Sequence, residues 1–379
     1  MCAASALFKP VSVGPLTLRN RVFMSALTRN RSFPDAIPNR VNVEYYKQRA
    51  AGGAALIVTE GVLITPQGTE WPDAPGIWSK EQIAAWKPVI DAVHAEGASI
   101  YIQLWHLGRV SHPDLPWQKK AGVPVYAPSA IAAKGGQFRQ LPGAPGYVTP
   151  TEIDDPVKLI ALYKQAAINA KEAGFDGVEL HGANGYLVHQ FLDSTSNLRT
   201  DKWGGSVENR SRFGLEVLRE LITVWGADRV AIKLSPAGGY NDLGMPLEET
   251  LATFKYFVAE ANKLDLAYIA LVRHSVVMDP AGRGTAHDVI ASYGPLITAP
   301  TKRFGNAGYT PEEAEKAVSA GDVDGVFFGF LYVGNPDLAK RIQNGKDVNF
   351  NVDMNGLYNH ESTPESARKG YSDYPPAEY

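Results

Sequence analysis

Cysteine is nearly absent from this chain: Cys2 is the only one in 379 residues. That excludes intrachain disulfides and a zinc centre built on several thiolates, and it suits a reducing compartment. No apolar run approaches the ~20 residues that a bilayer-spanning helix needs. No basic block marks a surface for nucleic acid or anionic lipid, and the formal net charge is only −3. The start, Met1 to Pro10, lacks a basic n-region and a long apolar core, so no secretory leader is expected and a cytoplasmic location is the default. Short-period repeats and domain linkers are missing as well. What remains is a globular composition, 45% hydrophobic and 20% charged, read as one domain over residues 1–379.

The visible pattern is an alternation of short apolar runs and helical stretches. Val11–Leu18 reads as a hairpin around Gly14-Pro15. Strand candidates follow at Arg21–Ala26, Ala54–Glu60, Ser99–Leu104, Gly177–His181, Val230–Ser235, Ala267–Val272, Lys302–Asn306 and Gly325–Gly329. Helices are expected at Val43–Ala51, Ser79–Glu96, Asp155–Ala173, Glu208–Trp225, Pro246–Lys263, Ala286–Tyr293, Thr310–Ala320 and Asn335–Asn344. Ser79-x-x-Gln82 and Thr310-Pro311-Glu312-Glu313 are start signals, and Gly97 and Gly321 are stops. Continuous apolar strands separated by helices argue for a covered parallel sheet. Eight such units predict an α/β fold, a closed (β/α)8 TIM barrel with an N-terminal β-hairpin. A long insertion after the third strand, about residues 105–154, carries many Gly, Pro and aromatic residues and is expected to act as a lid or wall. The tail from Asp347 to Tyr379 is polar, Pro-rich and Tyr-rich. It reads as an irregular cover over the surface, with Tyr371 and Tyr374 able to reach a neighbour's site in a dimer.

The chemistry gathers where the fourth strand ends. Phe175-Asp176-Gly177-Val178-Glu179-Leu180 runs into His181-Gly182-Ala183-Asn184-Gly185-Tyr186. His181 and Asn184 can both donate to one oxygen, and Tyr186 can deliver a proton beside them. Barrel enzymes place their chemistry at this end of the strands. The set suggests polarisation of a carbonyl followed by protonation of a carbon; the alternative is a loop in which the three side chains cap one another. Other strands also end in groups that suit a barrel interior poorly: Thr28, Gln103 and Lys233 among them. Their recurrence implies one large polar ligand touched by several strands.

The chain resembles the Old Yellow Enzyme family of flavin-dependent ene-reductases from about Leu7 to Arg341. The resemblance rests on Leu27-Thr28-Arg29, Glu44-Tyr45-Tyr46, Gln103-Leu104-Trp105-His106-Leu107-Gly108-Arg109, Ala127-Pro128-Ser129 and Gln190-Phe191-Leu192. Its most specific stretch is Arg199-Thr200-Asp201-Lys202-Trp203-Gly204-Gly205-Ser206-Val207-Glu208-Asn209-Arg210. It implies noncovalent FMN at the top of the barrel, reduced by NADPH or NADH, and an enone or enal as substrate. By position, Thr28 meets the flavin C4 carbonyl, Ala26 and Gly61 line the ring, Gln103 pairs with the pyrimidine edge and Lys233 lies beside N1 and O2. His181 and Asn184 grip the substrate oxygen, Tyr186 is the proton donor, and Trp105 faces either the substrate or the core.

Two departures from the family pattern stand out. Lys233 replaces an arginine, keeping charge but losing the planar fork. Phe330, after Gly329, replaces the arginine expected to bind phosphate bidentately. Backbone N–H groups at Gly305, Asn306 and Gly329 remain to cradle the phosphate, with Phe330 free to cover the flavin's dimethylbenzene ring. His106, His112 and His274 read as hydrogen-bonding loop residues, and Glu208-Asn209-Arg210 as a structural network. Readings other than an ene-reductase are a flavin-dependent isomerase or desaturase, or a flavin-poor ligand binder without turnover. The substrate, the choice between NADPH and NADH, and monomer against homodimer are not encoded in any motif.

Overall fold

The structure, a computed structural model, describes residues 5–279, 281–358 and 360–379; Cys2 and the first four residues of the segment read for a leader lie outside them. Chain order is β1 Val11–Val13, β2 Leu16–Leu18, β3 Val22–Met24, α1 Arg40–Ala51, β4 Leu56–Leu63, α2 Lys80–Ala95, β5 Ser99–Trp105, α3 Pro116–Ala121, β6 Tyr126–Ala127 and β7 Thr151–Glu152. It continues α4 Pro156–Ala173, β8 Gly177–Gly182, α5 Leu187–Leu192, α6 Val207–Trp225, β9 Val230–Leu234, α7 Leu247–Asn262, β10 Tyr268–Val272, α8 Val289–Tyr293, β11 Lys302–Asn306, α9 Pro311–Ala320, β12 Gly325–Phe328, α10 Phe330–Gly334, α11 Leu338–Gln343 and α12 Pro364–Arg368.

Eight strands close in the order β10-β11-β12-β3-β4-β5-β8-β9, all parallel. Each of the eight predicted strands has its counterpart here. Alternate residues divide between two cores, because successive side chains point to opposite faces. Phe23, Val58, Tyr101, Tyr268, Phe304 and Phe327 fill the interior, together with Val11, Val13 and Leu18 of the β1–β2 hairpin. The hairpin therefore plugs the barrel's amino end and leaves the carboxyl end for a ligand. Ile57, Ile100, Val178, Ile232 and Val326 face outward against the helices.

Helix ends follow their local chemistry. Ser79 and Thr310 each close a reciprocal capping box, with Gln82 and Glu313, and Gly321 stops α9 at a left-handed φ of 78°. Helix α1 starts earlier than the apolar period suggests, because Asn39 and Asn42 form another box. Helix α8 starts later than expected, behind the Asp288 cap. The short helices α3, α5, α10 and α12, of five or six residues, carry too little periodicity to be seen in the sequence.

The insertion after β5 holds α3 and the small parallel pair β6–β7. It turns back over the carboxyl end, where the Tyr147 hydroxyl meets Asn241 Oδ1 at 3.3 Å and Gln140 donates to the Glu70 carbonyl at 2.7 Å. The tail corrects an expectation. Leu357, Ala367 and Tyr371 are fully buried. Tyr371 stacks on Tyr45 of its own chain at 3.9 Å, so it does not reach toward a neighbour. Tail carbonyls satisfy three buried guanidiniums: Arg29 donates to Leu357, Arg31 to Ala367 and Leu357, and Arg49 to Tyr371. A buried charge is tolerated only when its donors are used, and the tail supplies those acceptors.

Candidate active site

The β8 terminus places three side chains at the barrel mouth. His181 is buried, and its Nδ1 accepts the Ala183 N–H at 3.3 Å. That assignment puts the ring proton on Nε2, pointing away from the backbone. Burial, then the nearby Lys233 charge, drives the imidazole pKa well below its usual range, so it is a neutral donor. Asn184 stands at a left-handed φ of 58°. Its N–H donates to Ser235 Oγ at 2.7 Å and its carbonyl accepts from Asn241 at 2.9 Å. The backbone is pinned from both sides, and the side-chain amide has no partner among the described residues.

Tyr186 caps α5 and packs edge-on against His181 and Trp105, both at 5.0 Å between ring centres. Burial, followed by the neighbouring Tyr240 and Glu70, raises its hydroxyl well above the usual pKa, so it keeps its proton. Trp105 is itself buried and lies in the wall; a Cβ on Gly61 would meet its ring at 2.5 Å. Gly61 is thus required for this indole to lie flat beside the mouth. Glu70, above the same group, is pushed up to about 8 by burial, with Trp71 opposing.

Below them a polar network crosses the barrel. Gln103 Nε2 donates to Glu179 Oε1 at 2.7 Å, Tyr268 OH donates to Oε2 at 2.9 Å, and Lys233 Nζ lies 3.7 Å from Oε1. Lys233 also donates to Ser25 Oγ at 2.8 Å. Asn306 Nδ2 donates to the Phe327 carbonyl at 2.9 Å, so this side chain ties β11 to β12. Ala26 and Thr28 are half-buried at the end of β3, and the loop after them is held by Glu60, whose Oε2 accepts the N–H groups of Arg29 and Asn30. The Thr28 hydroxyl has no partner among the described residues.

At the opposite side of the mouth, Gly305-Asn306 leads into Ala307 and Gly308, both at positive φ. Arg273 lies on this turn: Nε donates to the Ala307 carbonyl at 3.0 Å, and the guanidinium stacks 3.6 Å from the Tyr309 ring centre. Gly329 precedes α10, where an added Cβ would only touch Ser25 Cβ at 3.9 Å, and Phe330 is 39% exposed and brings no donor. Of the remaining candidates, His106 and His112 accept local backbone N–H groups, from Gly108 and Asp114. His274 lies 3.7 Å from Asp279. Arg210 donates to Leu192 O and Thr253 Oγ1 and pairs with Glu249, a structural network. Sequence reading missed Glu179, Ser25, Tyr268 and Arg273. Glu179 carried a signal, a carboxylate inside an apolar strand; the others carried none.

Residues 6–349 match the model of the NADH:flavin oxidoreductase / NADH oxidase family. The old yellow enzyme homologue of Zymomonas mobilis superposes with a TM-score of 0.87 at 34% identity, covering 97% of this chain and 99% of that one. The chain belongs to the Old Yellow Enzyme family. The NADP-dependent oxidoreductase lnbE of Aspergillus flavus is 41% identical over 98% of this chain and 96% of its own length. The probable inactive dehydrogenase easA of Claviceps fusiformis is 37% identical over 98% and 95%. This Old Yellow Enzyme relative is an FMN oxidoreductase that draws on a nicotinamide reductant. Its mouth suits the group. A buried ammonium and a carboxamide are chemically suited to a polar ring edge, and Thr28 and Asn184 keep unused polar groups. No helix among the described residues is long and apolar enough to cross a membrane.

Proposed function

We propose that this enzyme reduces the activated C=C bond of α,β-unsaturated aldehydes or ketones. The carrying observation is the β8 terminus: two neutral donors with defined or unused hydrogens, and a tyrosine held protonated, within one wall. Bound FMN would supply the hydride-transfer chemistry between NAD(P)H and the substrate's β-carbon. The work of the chain's own residues follows. His181 Nε2–H and the Asn184 amide hold the carbonyl oxygen, where negative charge develops as the β-carbon accepts hydride; each such donor contributes about 2–4 kcal/mol when well placed. Tyr186 gives its proton to the α-carbon. Trp105, beside Tyr186 and His181, limits water around that transfer and shapes the substrate space.

Cofactor contacts are assigned on the same reading. Ala26, Thr28, Gly61 and Gln103 take the ring, with Lys233 at the edge where negative charge collects. The phosphate end falls to backbone N–H groups at Gly305, Asn306 and Gly329. Arg273, which also pairs with Glu313 at 3.2 Å, is a neighbouring cation, and Phe330 covers the apolar ring edge. The enzyme is taken to act in the cytoplasm on a small molecule, as a monomer or homodimer.

The test separates the two half-reactions of Tyr186→Phe by anaerobic stopped flow. Flavin reduction by NADPH is expected to stay near wild type, while reoxidation by cyclohexenone slows by about a hundredfold or more. Equal loss in both halves would remove Tyr186 from the donor role. A ligand binder without turnover has one observation behind it, the likeness to a probable inactive dehydrogenase. A wild-type reoxidation rate no faster with enone than without it would favour that reading.

A further inference from the structure

We propose that Glu179 is a positioning residue for the flavin, acting through Gln103 and Lys233 to orient the ring contact and set the cofactor's reduction potential. The inference rests on the assignment of those two residues to the ring.

Glu179 sits in the middle of β8, one residue out of phase with the outward-facing Val178 and Leu180, so it points into the barrel. It is fully buried, and so is Tyr268 beside it; Gln103 and Lys233 are each 2% exposed. Barrel interiors are normally filled with branched apolar side chains. A carboxylate there costs several kcal/mol of desolvation unless its oxygens are met by donors. Three strands supply them: β5 and β9, which flank β8, and β10 beyond β9. Gln103 comes from β5 at 2.7 Å, Lys233 from β9 at 3.7 Å and Tyr268 from β10 at 2.9 Å. One side chain thus gathers the two groups expected at the flavin's polar edge, and its own carboxylate has no place at the mouth.

Two consequences follow from hydrogen-bond and charge arithmetic. An amide has one donor end and one acceptor end. With Nε2 committed to Glu179, the Gln103 amide cannot flip, and its Oε1 is left to accept from a ring N–H. Glu179 therefore decides which end of the amide the cofactor meets. The second consequence concerns charge. Reduction adds negative charge to the flavin, and the Lys233 ammonium favours it. Glu179 pairs with that ammonium at 3.7 Å and cancels part of its field, in a medium where screening by water is weak. Burial draws the Lys233 pKa below its ordinary range and the Glu179 charge opposes that shift, so the pair maintains the lysine's ionisation. The carboxylate thus keeps the cation charged while holding down the potential that the cation confers.

The experiment is a midpoint-potential titration of FMN-loaded protein, anaerobic and coupled to a reference dye. Glu179→Gln keeps the shape and removes the charge; its potential is expected to move positive of wild type. Lys233→Met leaves Glu179 facing the ring alone, and its potential is expected to fall. In the double variant Glu179→Gln/Lys233→Met, the potential is expected to lie closer to wild type than that of Lys233→Met. A merely structural carboxylate would give no such rescue. Should Glu179→Gln not fold, Glu179→Met removes the same charge, and its potential is likewise expected to move positive of wild type. A wild-type potential in Glu179→Gln or Glu179→Met with flavin retained overturns the inference, as does a double variant further from wild type than Lys233→Met. Wild-type protein that binds no flavin overturns it together with the proposed function, whereas an unmoved potential leaves that function intact.

Discussion

At the scale of single residues, the proposed mechanism depends on hydrogens that the fold fixes in advance. His181 has its tautomer set by the Ala183 N–H, and Asn184 is held by Ser235 and Asn241 with its amide spare. Replacing Asn184 by Ala removes one donor, and enone reoxidation is expected to slow by about a hundredfold, with NADPH docking also weakened. Stopped-flow rates at saturating substrate read the change; a rate within twofold of wild type would place the amide outside the reaction. Arg273 lies on the Ala307-Gly308 turn where Phe330 contributes no charge. Arg273→Leu is therefore expected to raise the FMN dissociation constant about tenfold, roughly the ~1.4 kcal/mol of a modest charged contact. Quenching of flavin fluorescence measures it, and an unchanged constant would leave the phosphate to the backbone alone. The gathering of His181, Asn184, Tyr186, Gln103 and Lys233 toward one end of the barrel was legible in the sequence, because polar residues recurring at strand ends are costly in an apolar interior. Arg273 was not, since a charged residue just past a strand reads as solvated surface until its stacking on Tyr309 is seen.

At the scale of elements, strands were more legible than the connections between them. Apolar runs such as Leu56-Ile57-Val58, which open the wholly buried β4, can be read directly. The tail could not be: Tyr371, Leu357 and Ala367 are scattered among polar residues, and their partners Arg29, Arg31 and Arg49 lie over three hundred positions away. Only the closed structure shows that the acceptors for three buried guanidiniums come from the last segment. Tyr371→Ala should remove the Tyr45 stack and leave a cavity, lowering stability by about 3–5 kcal/mol. Urea denaturation gives the value, and a loss under about 1 kcal/mol would mean that the tail is held by its backbone bonds alone. The cap of α9 offers a smaller check: Thr310→Ala is expected to cost about 1 kcal/mol.

At the scale of the whole molecule, the barrel's two ends divide the labour. The β1–β2 hairpin fills the amino end with apolar side chains, and the carboxyl end keeps the polar groups. Burial leaves several histidines uncharged, His106 with a pKa drawn down to about 4. An unfolded His106 takes up its proton near pH 6.5, and the folded one does so only near 4. The neutral ring's contribution is therefore complete above pH 6.5 and is lost as pH falls toward 4, at ~1.4 kcal/mol per unit. Relative to His106→Gln, wild-type stability should rise between pH 4 and 6.5 and then level off; a flat difference would contradict the assigned burial effect.

The central claim, that this barrel mouth carries out flavin-dependent reduction of an activated alkene, is met most directly by one spectrum. Wild-type protein is loaded with FMN, desalted, and given NADPH and then cyclohexenone without oxygen. The account predicts a retained flavin band that bleaches with NADPH and returns with the enone. A band that is lost on desalting, or that stays bleached in the presence of enone, would contradict it.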